Sequence, residues 1–301
     1  MKLFLFLTTI AVYATDTFVE CSCLPYWIQN ITVDEKIYEE KTEHQHLLVF
    51  QNALFGRVLA LDHIVQLTES DEWPYHEMIA HIPLMAHPNP QHVLIIGGGD
   101  GGTLREVLKH TNVEKVTLVE ISPAVVAHSK KYFPFISQGA FESPKLELII
   151  QDGIEFISNT SKKFDVIICD STDPGGPSDV LFTHSFYGFC QKALKDKGIF
   201  VNYTPLPTFG KKKFLQYFRN RRLHFKDTRL YMISLPTTHQ RSFFRACNIF
   251  GFASNCDDYL HLSEAALEDK FKRMSCDFRY YNPEIHIATF ALPEMINQVI
   301  K

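Results

Sequence analysis

The hydrophobic pattern of the 301-residue chain changes character once, near residue 71. Residues 35 to 68 contain short apolar segments separated by polar, turn-like breaks, which predict a small antiparallel sheet. From residue 71 onward, continuous apolar runs alternate with amphipathic stretches of helical period. This alternation is typical of a parallel sheet covered by helices on both faces. We therefore predict an α/β protein with a β-domain over residues 1–70 and a larger domain over residues 71–301.

The ends of the predicted strands carry acidic residues. Ligands of parallel sheets bind beyond the carboxyl ends of the strands, so the residues after each apolar run are candidates for a functional site. An acid follows four of these runs, either directly or within a short turn. These acids are Asp100, Glu120, Asp152 and Asp170. Because parallel strands end at the same edge of a sheet, we expect the four carboxylates to surround one site.

The turn after the first strand of the large domain is rich in glycine. It fits G-x-G-x-x-G at Gly97, Gly99 and Gly102, and Glu120 follows about 20 residues later. This combination predicts a nucleoside ligand whose ribose is held by the acid. Asp100, inside the turn, would repel a pyrophosphate, which argues against a nicotinamide dinucleotide. A sulfonium nucleoside of the S-adenosyl type has no phosphate and is favoured by nearby carboxylates.

The composition narrows the function classes only a little. A net charge of -4 gives no general attraction to nucleic acid, and the basic clusters at 211–213 and 219–222 are expected to form a solvated helix face. The seven cysteines include no CxxC pair, and Cys169 lies in an apolar run, so a redox role is not indicated. Four neighbouring residues lack zinc-like spacing, and no metal site is expected. They are His44, His46, Asp62 and His63.

Longer motifs occur in a fixed order along the chain. They are YEEKTEHQHLLVFQNALFGRVLALD, DEWPYHEM, VLIIGGGDGGTLREVLKH, VEKVTLVEISPAVV, QDGIEF, VIICDSTDPGGP and RYYNPEIHIATFALP. Together they resemble the spermidine synthase family of polyamine aminopropyltransferases, over roughly residues 35 to 200 and 277 to 293. The resemblance implies a Rossmann-like, methyltransferase-type fold behind a small N-terminal antiparallel β-domain. It also implies transfer of an aminopropyl group from decarboxylated S-adenosylmethionine to putrescine, giving spermidine and methylthioadenosine.

The resemblance also implies a role for each candidate residue. Asp170 matches the catalytic base of the family. The residues that match the amine-binding positions are Tyr75, His76, Asp100 and Asp173. The residues that match nucleoside contacts are Gln45, Gly97, Gly99, Glu120, Asp152, Gly153 and Pro177. The S-adenosyl compound is then a co-substrate, so no cofactor is expected. The resemblance also implies a homodimer or homotetramer.

Three segments depart from the family pattern. Ser122 stands where the family has an acid after the ribose-binding residue. The segment V-A-Q-x-G reads VNYTPLPTFG, and P-T-Y-x-G-G reads PTTHQRSFFRACN, with Thr238 in place of a substrate-lining tyrosine. These changes leave the acceptor amine open. Two alternatives to aminopropyl transfer stay open as well: a methyltransferase that uses intact S-adenosylmethionine, and a non-catalytic relative with an altered amine pocket.

The N-terminal residues resemble a signal peptide. Its apolar run LFLFLTTIAV, from Leu3, is too short to span a bilayer as a typical helix. The substrates that the resemblance implies are cytosolic metabolites, and an oxidising compartment would endanger unpaired cysteines. We therefore expect residues 1–14 to be a retained extension of a cytoplasmic protein that is not bound to a membrane.

Overall fold

The computed structural model describes residues 16–21, 28–172, 174, 177–205, 210–234, 247–256, 259, 262–274 and 276–301. The apolar start, at residues 1–14, therefore lies outside the described residues. No helix within the described ranges is long and apolar enough to cross a membrane.

The N-terminal part is built of antiparallel strands. Their bounds are β1 (Asp16–Cys21), β2 (Ile28–Val33), β3 (Glu35–Lys41), β4 (His46–Asn52), β5 (Gly56–Leu61) and β6 (Ile64–Thr68). β1 pairs with β2, and β3 to β6 form one sheet in sequential order. Asp62 and His63 form the turn between β5 and β6 with positive φ angles of 48° and 62°, as a two-residue hairpin of type I′ requires.

The described residues after β6 form one seven-stranded sheet covered by helices. Its strands are β7 (His92–Gly97), β8 (Lys115–Glu120), β9 (Leu146–Ile150), β10 (Phe164–Asp170), β11 (Leu194–Thr204), β12 (Asp227–Ser234) and β13 (Cys247–Ser254). Strands β7 to β11 run parallel, and β13 and β12 continue the sheet antiparallel beyond β11. The predicted Rossmann-like fold with an N-terminal antiparallel β-domain is thus confirmed.

The helices precede, connect and follow these strands. They are α1 (Glu72–Ala86), α2 (Gly102–Leu108), α3 (Pro123–Tyr132), α4 (Pro134–Ser137), α5 (Gly153–Asn159), α6 (His184–Ala193), α7 (Lys211–Arg222), α8 (Glu264–Arg273), α9 (Pro283–Ala288) and α10 (Glu294–Ile300). Two 3-10 helices span Ala140–Glu142 and Pro177–Phe182.

Successive residues of the central strands pack into two different apolar cores. In β7, Val93 and Ile95 pack with buried residues of α1 and α2, whereas Leu94 and Ile96 pack with buried residues of α5 and α6. This follows from the period of two along a strand, which sends neighbouring side chains to opposite faces. The continuous apolar run of a strand such as β7 therefore reflects burial on both faces.

The order of the strands reverses at β7. The sheet runs β12-β13-β11-β10-β7-β8-β9, so β8 and β9 continue on one side of β7, while β10 lies on the other. A crevice forms at such a switch point because the connections leave in opposite directions. Here the ends of β7 and β10 are in register, with Gly97 opposite Asp170.

The basic clusters of α7 are not the fully solvated face that the sequence predicts. Arg221 has an exposed fraction of 0%. It lies at helical spacing from the buried Phe214 and Phe218, which places it on the apolar side of the helix. Its Nη1 donates to Asn202 Oδ1 at 2.8 Å and to Thr204 Oγ1 at 3.3 Å, so the guanidinium holds the end of β11.

Gly251 on β13 makes room for Arg221. A Cβ at this position would lie 1.0 Å from Arg221 Nη1. We expect Gly251→Ala to lower the free energy of unfolding by about 2 kcal/mol, as measured by urea denaturation, because the guanidinium must leave its partners. Gly210→Ala is the matched control, since no atom of the described residues lies within 4 Å of a Cβ built there. A double variant Gly251→Ala/Arg221→Met that is no more stable than Gly251→Ala would contradict this explanation.

Candidate active site

A cavity of about 530 Å³ lies at the carboxyl ends of β7, β8 and β10 and is covered on one side by the N-terminal sheet. Most of the residues predicted from the sequence line it. They are Gln45, Tyr75, His76, Gly97, Gly99, Asp100, Glu120, Asp152, Gly153 and Asp170. Asp173 lies outside the described residues, as does the side chain of Pro177, whose backbone begins a 3-10 helix.

The floor of the cavity is a close contact between two strand ends. Gly97 has a φ of +83°, and a Cβ there would lie 2.0 Å from the carbonyl oxygen of Asp170. The Gly98 amide donates to the same oxygen at 2.8 Å. Glycine is therefore required at position 97 both for its backbone conformation and for space. The contact fixes the backbone from which the Asp170 carboxylate projects.

The two oxygens of the Asp170 carboxylate each accept one hydrogen bond from the protein. Tyr75 donates its hydroxyl to Oδ1 at 2.9 Å, and Thr103 donates to Oδ2 at 2.6 Å. Burial and the nearby charge of Asp100 raise the pKa of Asp170 above its ordinary value, although His76 and both hydroxyls oppose the shift. A carboxylate of this kind is a stronger proton acceptor than one in water.

Asp100 is held by a histidine from α1. Its Oδ1 accepts from the Gly102 amide at 2.7 Å and lies 3.2 Å from His76 Nε2. The other ring nitrogen, His76 Nδ1, lies 2.5 Å from Glu72 Oε2. Burial alone would lower the pKa of His76, but the two flanking carboxylates outweigh it and raise this pKa to about 10. His76 is thus an imidazolium cation at neutral pH.

Glu120 and Asp152 stand at the next two strand ends. Glu120 Oε1 accepts from the Ser122 amide at 2.8 Å, and burial raises the pKa of Glu120 to about 7. Ser122, where the family has an acid, is the N-cap of α3 and accepts from the Val125 amide at 3.4 Å. Asp152 caps α5 by accepting from the Ile154 amide at 2.9 Å.

The cavity concentrates negative charge. No lysine or arginine occurs among its described lining residues, whereas seven acids do: Asp62, Asp71, Glu72, Asp100, Glu120, Asp152 and Asp170. Such a wall favours a cationic ligand and disfavours a phosphate. Within the described part of the chain, His76, Asp100 and Asp170 are also close enough to share a metal ion, with donor atoms within 4.8 Å of one another. Both ring nitrogens of His76 already face carboxylate oxygens, and its pKa is raised to about 10, so a metal would have to displace a proton from the ring.

Some of the residues that line or support the cavity are not predicted from the sequence. Thr103 reads as an ordinary residue of a helix start, and only its place after the glycine turn marks it. Tyr203 projects into the cavity from β11, within the VNYT segment that departs from the family pattern. Gln66 lines the cavity from β6. In the other departing segment, residues 236–246, which include Thr238, lie outside the described residues, while its last two residues begin β13.

The fold and the site define a Rossmann-like protein of the methyltransferase type with an acid-lined cavity at its switch point. Residues 72–248 match the model of the spermine/spermidine synthase domain, and residues 17–69 match that of the spermidine synthase tetramerisation domain. The chain therefore belongs to the spermine/spermidine synthase family.

Individual relatives agree with this assignment. The polyamine aminopropyltransferases of Shigella sonnei and of an Escherichia coli strain of serotype O139:H28 are both 43% identical over 272 residues, which make up 90% of this chain and 93% of theirs. A crystal structure of spermidine synthase in complex with the transition state analogue AdoDATO matches with a TM-score of 0.87 at 37% identity, over 96% of both chains. The spermidine synthase of Thermotoga maritima gives the same TM-score and identity over 96% of this chain and 95% of its own.

The buried carboxylate of Glu120 should make stability depend on pH. Its pKa of about 7 in the folded protein exceeds the ordinary value of 4.5, so its ionisation destabilises the fold increasingly as the pH rises from 4.5 to about 7. Glu120→Gln removes this charge. We expect the variant to melt at a higher temperature than the unmodified protein at pH 8 and at the same temperature near pH 4.5, as measured by calorimetry.

The matched control for this measurement is Glu147→Gln. Hydrogen bonds from Lys115 and Lys162 lower the pKa of Glu147 to about 2, so its charge stabilises the fold. This variant should melt at a lower temperature than the unmodified protein at pH 8. A melting temperature of Glu120→Gln that differs equally from the unmodified protein at both pH values would show that charge is not the cause.

Proposed function

We propose that the protein transfers the aminopropyl group of decarboxylated S-adenosylmethionine to putrescine, giving spermidine and methylthioadenosine. The observation that carries this proposal is the Asp170 carboxylate, whose pKa is raised, in a cavity whose described lining residues include seven acids and no lysine or arginine. Both substrates are cations, so such a cavity attracts each of them. Membership of the spermine/spermidine synthase family supports the same reaction.

The reaction needs no covalent intermediate with the protein. The amine nitrogen of putrescine attacks the aminopropyl carbon next to the sulfonium, and a new carbon–nitrogen bond forms. The carbon–sulfur bond breaks at the same time, and its electron pair returns to sulfur to give the neutral thioether of methylthioadenosine. The nitrogen loses one proton. Since the leaving group is already activated, the protein has to orient the two reactants and accept this proton.

Freeing the amine of its proton is the costly step. An alkyl ammonium has a pKa near 10, so its neutral form at pH 7 costs about 4 kcal/mol. Desolvation in the cavity lowers this cost because it disfavours the charged amine. Asp170 then takes the proton, and the raised pKa of its carboxylate brings the two proton affinities closer together. We therefore assign the role of catalytic base to Asp170.

The other lining residues divide into two subsites. For the nucleoside we propose Glu120 at the ribose hydroxyls and Asp152 with Gly153 beside the base, which are the two strand ends after the glycine turn. Further nucleoside contacts in this proposal are Gln45, Gly97, Gly99 and Pro177. For the amines we propose Tyr75 and Asp100, together with Asp173 from the loop outside the described residues.

The wider organisation is also a proposal. We place the boundary between the β-domain and the catalytic domain at residues 70 and 71, where the antiparallel strands give way to α1. The match of residues 17–69 to a tetramerisation domain supports a homo-oligomer that assembles through the β-domain. We propose that the protein acts in the cytoplasm, where both substrates are made.

Ligand binding should separate aminopropyl transfer from methyl transfer. We place Asp100 in the amine subsite, beside the aminopropyl end of the co-substrate, so its negative charge should repel the additional carboxylate of intact S-adenosylmethionine. We expect methylthioadenosine with putrescine to raise the melting temperature clearly and intact S-adenosylmethionine to raise it much less. Asp100→Ala should narrow the difference between decarboxylated and intact S-adenosylmethionine. Equal affinities of the unmodified protein for both compounds would favour a methyltransferase.

Turnover should depend on the carboxylate of Asp170. We expect Asp170→Asn to bind methylthioadenosine normally and to lose about a hundredfold or more in kcat, the usual scale for a positioned base. The asparagine keeps the shape of the side chain and can still accept from Tyr75, so the loss measures proton transfer. Asp196→Asn, on an exposed part of β11, is the control and should turn over normally. A near-normal kcat in Asp170→Asn would remove Asp170 from the mechanism.

A further inference from the structure

His76 is the one described cavity residue whose two polar atoms both face carboxylates. Its Nε2 lies 3.2 Å from Asp100 Oδ1, and its Nδ1 lies 2.5 Å from Glu72 Oε2. The side chain is only 3% exposed. With a proton on each nitrogen, the ring offers no lone pair to the ammonium group of a substrate, and its positive charge repels one. Direct binding of an amine by His76, which the family resemblance implies, stays a prediction; the charge on the ring opposes it, and the two carboxylates point to a further role.

The contacts of His76 continue away from the cavity as a buried chain of alternating charge. Arg105 on α2 donates from Nη1 and Nη2 to the two oxygens of Glu72, both at 3.0 Å. Its Nε donates to Glu106 Oε1 at 2.6 Å. Glu106 in turn lies 2.8 Å from His81 Nε2, and its other close partner is the Lys109 ammonium. Breaking such a chain at one point would leave a buried charge without its partner.

The last glycine of the glycine turn makes this arrangement possible. A Cβ on Gly102 would lie 2.3 Å from both Cε1 and Nδ1 of His76. The amide of the same residue donates to Asp100 Oδ1. Gly102 thus lets the ring pack flat against the start of α2 while it holds the same carboxylate. The side chain of Asp100 is fixed from two sides, by a backbone amide and by the imidazolium.

We propose that His76, Glu72 and Arg105 are positioning residues that hold Asp100 as an oriented carboxylate for the substrate amine. The proposal rests on the assignment of Asp100 to the amine subsite under the proposed function. Glu72 keeps His76 doubly protonated, and Arg105 fixes both oxygens of Glu72. The positive charge of His76 then stabilises the ionised carboxylate of Asp100. Without it, repulsion from the nearby Asp170 carboxylate in the same buried pocket would cause Asp100 to bind a proton.

The direction in which pH changes amine binding follows from the charged groups around Asp100 and Asp170. Burial would raise the pKa of Asp100, but the cation of His76 and the Gly102 amide hold it below its ordinary value. Without that cation, the coupled carboxylates of Asp100 and Asp170 would bind a proton at higher pH and lose affinity for an ammonium. The other charged or titratable groups around Asp100 and Asp170 are Glu72, Tyr75, Arg105, Glu120 and Tyr203.

The test is the pH dependence of putrescine binding in the presence of methylthioadenosine, measured by calorimetry from pH 5 to 8.5. Putrescine stays a dication over this range, so a loss of affinity at low pH reports protonation of the protein. For His76→Gln we expect the midpoint of this loss to move up by about 1 to 2 pH units, the usual effect of one nearby opposite charge. Glu72→Gln keeps an acceptor for Nδ1 and should move the midpoint in the same direction by less.

The control is His286→Gln, which also removes a buried histidine. His286 pairs with the hydroxyl of Tyr281 at 2.8 Å, away from the lining of the cavity, and burial lowers its pKa to about 3. This variant should lose stability without moving the midpoint. If His76→Gln weakens binding equally at every pH, His76 is a direct or merely structural contact and the proposal is wrong.

A second measurement does not depend on substrate. Nitrogen-15 NMR of labelled histidine in the free, unmodified protein should show both nitrogens of His76 protonated up to about pH 9, since its pKa is about 10. Glu72→Gln should lower the pH at which the first proton is lost. A neutral ring at pH 8 would overturn the proposal. Absence of putrescine binding by the unmodified protein would instead count against the proposed function, and the NMR result would still decide the role of His76.

Discussion

The contact between Gly97 and the backbone of Asp170 sets the positions of the other groups of the site. Two parallel strands end side by side at the switch point, and the missing side chain at Gly97 lets their backbones approach to a distance that no Cβ permits. The glycine turn, the start of α2 and the loop after β10 all leave from this contact. A shift of these strand ends would move the carboxylate of Asp170 away from Tyr75 and Thr103 together.

The sequence predicts much of this arrangement because the relevant signals are local. Apolar runs mark the strands and predict a parallel sheet, and the rule that ligands bind at the ends of such strands then selects Asp100, Glu120, Asp152 and Asp170. The structure brings all four to one cavity. The roles of the glycines are only half predictable, since Gly102 reads as part of a nucleotide motif but makes space for His76.

The remaining features depend on contacts that are distant in the chain. Arg105 and Glu72 are 33 positions apart, and both read as ordinary charged residues of helices until α1 and α2 pack together. The predicted exposure of Arg221 is wrong for a related reason. A cluster of basic residues predicts solvent exposure, whereas the helical period places Arg221 on the buried side of α7. Charge patterns report on composition, whereas the partner of a buried charge is set by tertiary packing.

The place of Arg105 in the buried chain has a consequence for the path of the released proton. A guanidinium stays protonated in proteins. The ion pairs from Asp100 to Glu106 therefore influence one another electrostatically, but they do not conduct protons past Arg105. In the proposed reaction, the proton that Asp170 accepts therefore has no exit through this side of the protein. The open side of the cavity offers it a route to water, so resetting the base for the next turnover would depend on the access of water to the site.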